Sequence, residues 1–337
     1  MLVVSRPKPV KMLLVFIHGF RGSDATFNEF PAHLTSSLST LLPNEQIDIV
    51  VYPKFETKGS LTTATETFCM WLKGLETRRR AQSNSQLPLP TILIGHSMGG
   101  LLAGDVYLRY CREKELAEPT QFPHLLGILG FDSPFYGLNH TNLTRSAYSK
   151  ATKLNTEVRR AAREFRLSEA LNNTRSSSSN GPSQSRHILS LALGGLATAA
   201  GLFMDRDNMS SLYSYAMDHI DFVNALVRPE ELNRRVQALV ELPDALFYCF
   251  YLQIQGSKSR FINLPGENLI PNIGHDRFIA IENAAGDEIN GHTSMFNPNI
   301  NVHYEDMTRQ AAVLIFQAIT KYQAASATPG QELIAFD

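Results

Sequence analysis

The chain has 337 residues, 43% of them hydrophobic and 19% charged, which suits one large α/β domain with a real core. A formal net charge of −1 supplies no basic field, which argues against nucleic acid as a partner and gives no electrostatic case for an anionic membrane. The three cysteines, Cys69, Cys111 and Cys249, are widely spaced and fit reduced thiols better than a disulfide framework or a zinc site.

The opening stretch, MLVVSRPKP, lacks the basic start, long apolar run and small-residue cleavage site of a secretory signal. The expected location is therefore cytoplasmic or intracellular, and the sequons at Asn139, Asn142, Asn172 and Asn208 read as chance matches. Lys11 to Ile17 (KMLLVFI) is a short apolar run ending at His18-Gly19, the pattern of a buried parallel strand followed by a tight turn. Ala25 to Leu42 has helical periodicity, with Phe27, Phe30, Leu34 and Leu38 on one face. A strand is expected over Ile47 to Tyr52, and a helix over Thr63 to Arg80, whose basic end suits a helix C-terminus. Thr91 to Ile94 is another apolar strand that runs into Gly95-His96-Ser97-Met98-Gly99-Gly100, with a helix from about Gly99 to Cys111. Leu125 to Phe131 is a further strand, ending at Asp132-Ser133-Pro134.

Strand and helix alternate throughout this half, which predicts a mainly parallel sheet with helices on both faces and right-handed crossovers. The alternation then stops. Residues 138–243 carry no strand pattern and read as a helical insertion, a lid or cap between the strands at 125–131 and 246–254. Within it, Thr152 to Leu171 is helical and charged, Asn173 to Arg186 is a polar Ser-rich loop, and Pro229 to Leu242 is a helix. The uncharged run Ile188 to Met204 falls short of the ~20 residues that span a bilayer. Three readings of it compete: a buried helix of the insertion, a lid offering apolar surface to an acyl chain, or a segment making peripheral contact with a membrane or lipid surface. Strands resume at Leu246 to Ile254 and Arg277 to Ile281, the last helix spans Tyr304 to Tyr322, and residues 323–337 form a loose tail. The whole of 1–337 is read as one domain carrying this insertion.

Gly95-His96-Ser97-Met98-Gly99 fits G-x-S-x-G, and here an apolar strand precedes it and a helix follows. Such a turn forces the serine backbone into a strained conformation, so the positions two residues to either side take glycine. Ser97 is the expected nucleophile, at the positive end of the following helix. A tetrahedral intermediate needs preorganised N–H donors for its oxyanion. The expected pair is the N–H of Met98 and that of Phe20, which follows His18-Gly19.

The base belongs on a loop after the last strand. His275, His292 and His303 compete, and His292 lies in the expected place between the Arg277–Ile281 strand and the final helix. The acid is Asp132, at the end of a sheet strand, with Asp287 and Glu267 as alternatives. Asp132 also has a bland reading, since short aspartates often order a turn before proline. Asp205 and Asp207 are too weak a pattern for a cation, and no metal or cofactor is expected.

His18-Gly19-Phe20, the Gly95–Gly100 turn and Asp287…His292 in serial order resemble the lipase and serine-esterase branch of the α/β-hydrolase superfamily. Gly130-Phe131-Asp132 resembles the Gly-Leu-Asp motif of pancreatic-type lipases. Tyr52–Gly59, Phe131–Gly137 and Gly291–Phe296 are similar to uncharacterised fungal hydrolases of that branch. The resemblance covers about residues 11–138 and 245–322 and implies the α/β-hydrolase fold, a Ser-His-Asp triad and a small-molecule ester or lipid substrate. The competing class is a catalytically silent hydrolase fold that binds a lipid or protein partner.

Overall fold

A computed structural model describes residues 11–19, 22–53, 60–83, 88–115, 122–139, 228–267 and 270–326. These belong to one compact unit formed by 1–143 and 221–337. The expected helices at Thr152–Leu171 and Ile188–Met204, the Asn173–Arg186 loop, Asp205, Asp207 and the tail beyond Ser326 lie outside the described residues.

Six strands, β1 (Lys11–Ile17), β2 (Gln46–Val51), β3 (Pro90–His96), β4 (His124–Phe131), β5 (Leu246–Ile254) and β6 (Phe278–Asn283), form one sheet in the order β2-β1-β3-β4-β5-β6. Every pairing is parallel. Alternation along the strands explains why the central ones read as unbroken apolar runs, because both faces are covered. Leu13, Val15, Ile17, Leu93, Ile128 and Phe247 enter one core, and Met12, Leu14, Phe16, Ile92, Ile94 and Phe131 enter the other.

The first core is closed by α2 (Leu61–Ser83), α3 (Met98–Glu115) and α4 (Pro229–Glu241), which contribute Phe68, Leu72, Leu102, Val106, Leu232, Val236 and Leu239. The second is closed by α1 (Phe30–Leu41) and α6 (Tyr304–Ser326), through Phe30, Leu34, Leu38, Met307, Ala311 and Ile315. Full burial of each such side chain stabilises by about 1.5–3 kcal/mol, so the two cores hold the sheet rigid beneath whatever its C-terminal edge carries.

Two local departures have physical causes. The single helix expected over Ala25–Leu42 is a 3-10 turn, Asp24–Phe27, then α1, because Asn28 takes φ 45° and Pro31 sits in the first turn of α1, where its missing N–H costs nothing. The helix at 229–241 was expected to belong with the insertion, yet its apolar side lies in the sheet-face core and Arg235 forks onto Asp105 of α3 at 2.6 and 3.1 Å.

Candidate active site

The C-terminal ends of β1, β3, β4 and β6 meet at one edge of the sheet. There β3 passes into α3 through a single residue, Ser97, whose φ of 56° lies in the left-handed region. That conformation is costly for a residue with a Cβ and persists only where the surroundings dictate it. Here the Ser97 N–H donates to the Phe131 carbonyl at 3.0 Å, and the Ser97 carbonyl accepts from Gly100 N–H at 3.0 Å.

Glycines make the turn possible by close approach. A Cβ on Gly95 would fall 2.4 Å from the Gly100 nitrogen, and one on Gly99 would fall 2.2 Å from the Ile17 carbonyl oxygen. The end of β1 is therefore pressed against the start of α3. A Cβ on Gly19 would lie 2.6 Å from Ser97 Cβ and 3.1 Å from Ser97 Oγ, which puts the turn after β1 directly beside the serine hydroxyl. The Gly19 carbonyl is tied down by Gly22 N–H at 3.0 Å and by His18 Nδ1–H at 3.0 Å. Phe20 lies outside the described residues; Met98 is the first residue of α3.

Asp132 follows β4 with φ 46° and is fully buried. Its Oδ2 accepts from His292 Nδ1–H at 2.7 Å, and its Oδ1 accepts from Leu252 N–H at 3.2 Å. The carboxylate at the end of β4 thus reaches across to β5.

His292 was expected on a loop; it sits on a short helix, α5 (Glu288–Ser294), after β6. Asp287 caps that helix by accepting from Asn290 N–H at 2.9 Å. Just beyond α5, Phe296 packs into an aromatic cluster with Phe27, Phe30 and Phe131, with ring centroids 4.8–5.5 Å apart. Cap at one end and aromatic anchor at the other fix the helix that carries the imidazole. The remaining candidates are engaged elsewhere. Glu267 pairs with Arg260 and accepts from Leu264 N–H, His275 opens a 3-10 turn before β6, and His303 lies 3.5 Å from Asp306.

Two neighbours of His292 had no signal in the sequence. Phe261, from the β5–β6 connection, stacks on the ring with centroids 3.8 Å apart at 16°, and His96 stacks on it at 4.5 Å and 28°. His96 Nε2–H also donates to the His292 carbonyl at 3.2 Å. Burial, reinforced by the nearby His292 and His18 rings, holds His96 well below the usual histidine pKa, so it stays neutral.

Among the described residues, no group of three or more His, Cys, Asp or Glu is placed to hold a metal ion, and no helix is long and apolar enough to cross a membrane. Cys69, Cys111 and Cys249 are free thiols.

The chain matches no family model and no curated protein. Among solved structures it is similar to the phospholipase PlaB of Legionella pneumophila, with 17% identity over 38% of this chain and 26% of that one at a TM-score of 0.29. It thus spans about a quarter of that phospholipase's length. It is also similar to a Bacillus licheniformis lipase in mature form, with 14% identity, 76% and 72% coverage and a TM-score of 0.34. A third is a soluble variant of the Saccharomyces cerevisiae monoglyceride lipase, with 15% identity, 44% coverage of each chain and a TM-score of 0.29. Overlaps this slight carry no weight beside the topology itself. With a parallel β2-β1-β3-β4-β5-β6 sheet, helices on both faces and a left-handed serine turning β3 into α3, the chain has the α/β-hydrolase fold.

Proposed function

We propose that the chain is a serine hydrolase that cleaves carboxylic esters of acyl or lipid type through Ser97, His292 and Asp132. The observation that carries this reading is the buried 2.7 Å hydrogen bond from His292 Nδ1–H to Asp132, at the same sheet edge as the strained Ser97. A carboxylate there fixes the tautomer whose Nε2 is free to accept a proton.

In this scheme His292 Nε2 takes the Ser97 proton as Oγ bonds to the ester carbonyl carbon. The oxyanion accepts from Met98 N–H and, in our assignment, from Phe20 N–H. The carbonyl re-forms as the C–O bond to the alcohol breaks, and His292 returns the proton to the departing oxygen. Water then gives a proton to the same ring as its oxygen bonds to the acyl carbon; the bond from that carbon to Ser97 Oγ breaks, the ring returns the proton to Oγ, and the acid leaves. Asp132 stabilises the imidazolium in both halves. The ester preference rests on the sequence alone, on the uncharged apolar run Ile188–Met204.

A fluorophosphonate probe tests the reading. The folded parent protein should label covalently and the Ser97→Ala variant should not; a panel of esters, thioesters and amides then ranks substrates. Folded parent protein that fails to label returns the chain to the silent, partner-binding class.

A further inference from the structure

The hydrogen bond to Asp132 fixes one atom of the His292 ring but not the ring's plane, because the χ2 torsion of histidine is broad. The two stacked neighbours supply what is missing. Phe261 at 16° and His96 at 28° are both close to parallel with His292, and two rings that near cannot share one face, so they hold it from opposite sides. Each is itself anchored. His96 ends β3 immediately before Ser97, its ring packs at 5.4 Å against Phe296, and its Nε2–H binds the His292 carbonyl. Phe261 is fixed through its carbonyl, which accepts from Asn139 N–H at 2.9 Å, and through the antiparallel bridge between Leu138 and Ile262 beside it.

We propose that His96 and Phe261 are positioning residues for the base, a two-sided clamp that sets the plane of the His292 ring and hence the direction of Nε2. The clamp rests on the Ser97–His292–Asp132 reading. It gives the residue before the nucleophile a task of its own: one strand end carries both the serine and one jaw of the clamp, so the nucleophile and the plane of its base are set by the same backbone. A neutral flat ring suits that jaw, since a charged one would repel the imidazolium formed during turnover.

The test compares the full-length parent with Ser97→Ala, His96→Ala, His96→Phe and Phe261→Ala, using p-nitrophenyl butyrate turnover, fluorophosphonate labelling and thermal unfolding. His96→Ala and Phe261→Ala should lower kcat by ~10- to 100-fold, the usual cost of a misdirected catalytic group. KM should stay within about threefold, because an interaction expressed in the transition state leaves substrate binding alone. His96→Phe restores a flat face without the bond to the His292 carbonyl and should recover most of the loss.

A readout independent of turnover is the NMR signal of the His292 ring protons in histidine-labelled protein, assigned by its loss in His292→Ala. Two stacked rings shield those protons, and Phe261→Ala should move them downfield. The clamp is overturned by folded His96→Ala with near-parental kcat, by His96→Phe no better than His96→Ala, by a loss carried in KM, or by unmoved ring-proton shifts. Should His96→Ala not fold, Phe261→Ala and the shifts decide it. A folded parent that neither labels nor turns over sinks the Ser97 reading itself, whereas a labelled, active parent with an indifferent His96→Ala sinks the clamp alone.

Discussion

Asp132 is fully buried and bonded to the His292 ring, so whatever occupies its place dictates the state of that imidazole. An asparagine there would offer an amide N–H to His292 Nδ1 and favour the tautomer with its proton on Nε2. That ring cannot accept from Ser97. Asp132→Asn should therefore lower kcat by roughly 10⁴ while leaving the fold intact, read by steady-state kinetics beside circular dichroism. Asp287→Asn and Glu267→Gln, which touch a helix cap and an arginine, should leave kcat far closer to the parent. Near-parental turnover in Asp132→Asn would remove it from the triad.

At the scale of elements, the turn between β3 and α3 is wedged against the end of β1. Gly99→Ala would drive a methyl into the Ile17 carbonyl, 2.2 Å away, and the His18 carbonyl, 2.8 Å away. Overpacking of this kind costs about 1–3 kcal/mol, so urea unfolding should shift by that amount and fluorophosphonate labelling should fall with it. The same packing explains what could be read in the sequence. β1, β3, β4 and β5 were legible because burial on both faces leaves uninterrupted apolar runs, and the serine turn because steric demand writes glycine at fixed offsets. Asp132 showed as a carboxylate at a strand end and through the likeness of Gly130-Phe131-Asp132 to a lipase motif. The short helix carrying His292 was illegible: Glu288–Ser294 contains Asn, Gly and Thr, which favour helix weakly, and it stands on an Asp287 cap and on packing from outside. Phe261 gave no signal because its role depends on a contact with a residue 31 positions away in the chain.

For the molecule as a whole, charged pairs lace the outer layer of one face. Asp48 of β2 meets Lys11 of β1 at 3.2 Å and Arg79 of α2 at 2.5 Å, Lys73 of α2 meets Glu113 of α3 at 2.8 Å, and Arg235 joins α4 to α3. Burial pulls the Asp48 pKa upward, but its hydrogen bonds to Arg79 and Lys11 prevail and leave it below the ordinary value. A carboxyl lowered in the folded state stabilises the fold fully above the unfolded pKa, about 3.9, and loses that contribution as pH falls through the folded value. Asp48→Asn should thus be less stable than the parent at pH 7 by no more than about 1 kcal/mol, the scale of a partly exposed pair, with the gap closing toward pH 3. Urea titrations at the two pH values measure it.

The bond from His292 to Asp132 joins residues 160 apart in sequence, in a sheet whose every pairing is parallel and so must be made across a crossover. Closing such long loops is slow, and it comes after local helices have formed. Reactivity at Ser97 should therefore be among the last properties to return when the denatured chain is diluted into buffer. Labelling by fluorophosphonate would lag the recovery of helical circular dichroism, which makes the serine a clock for completed assembly.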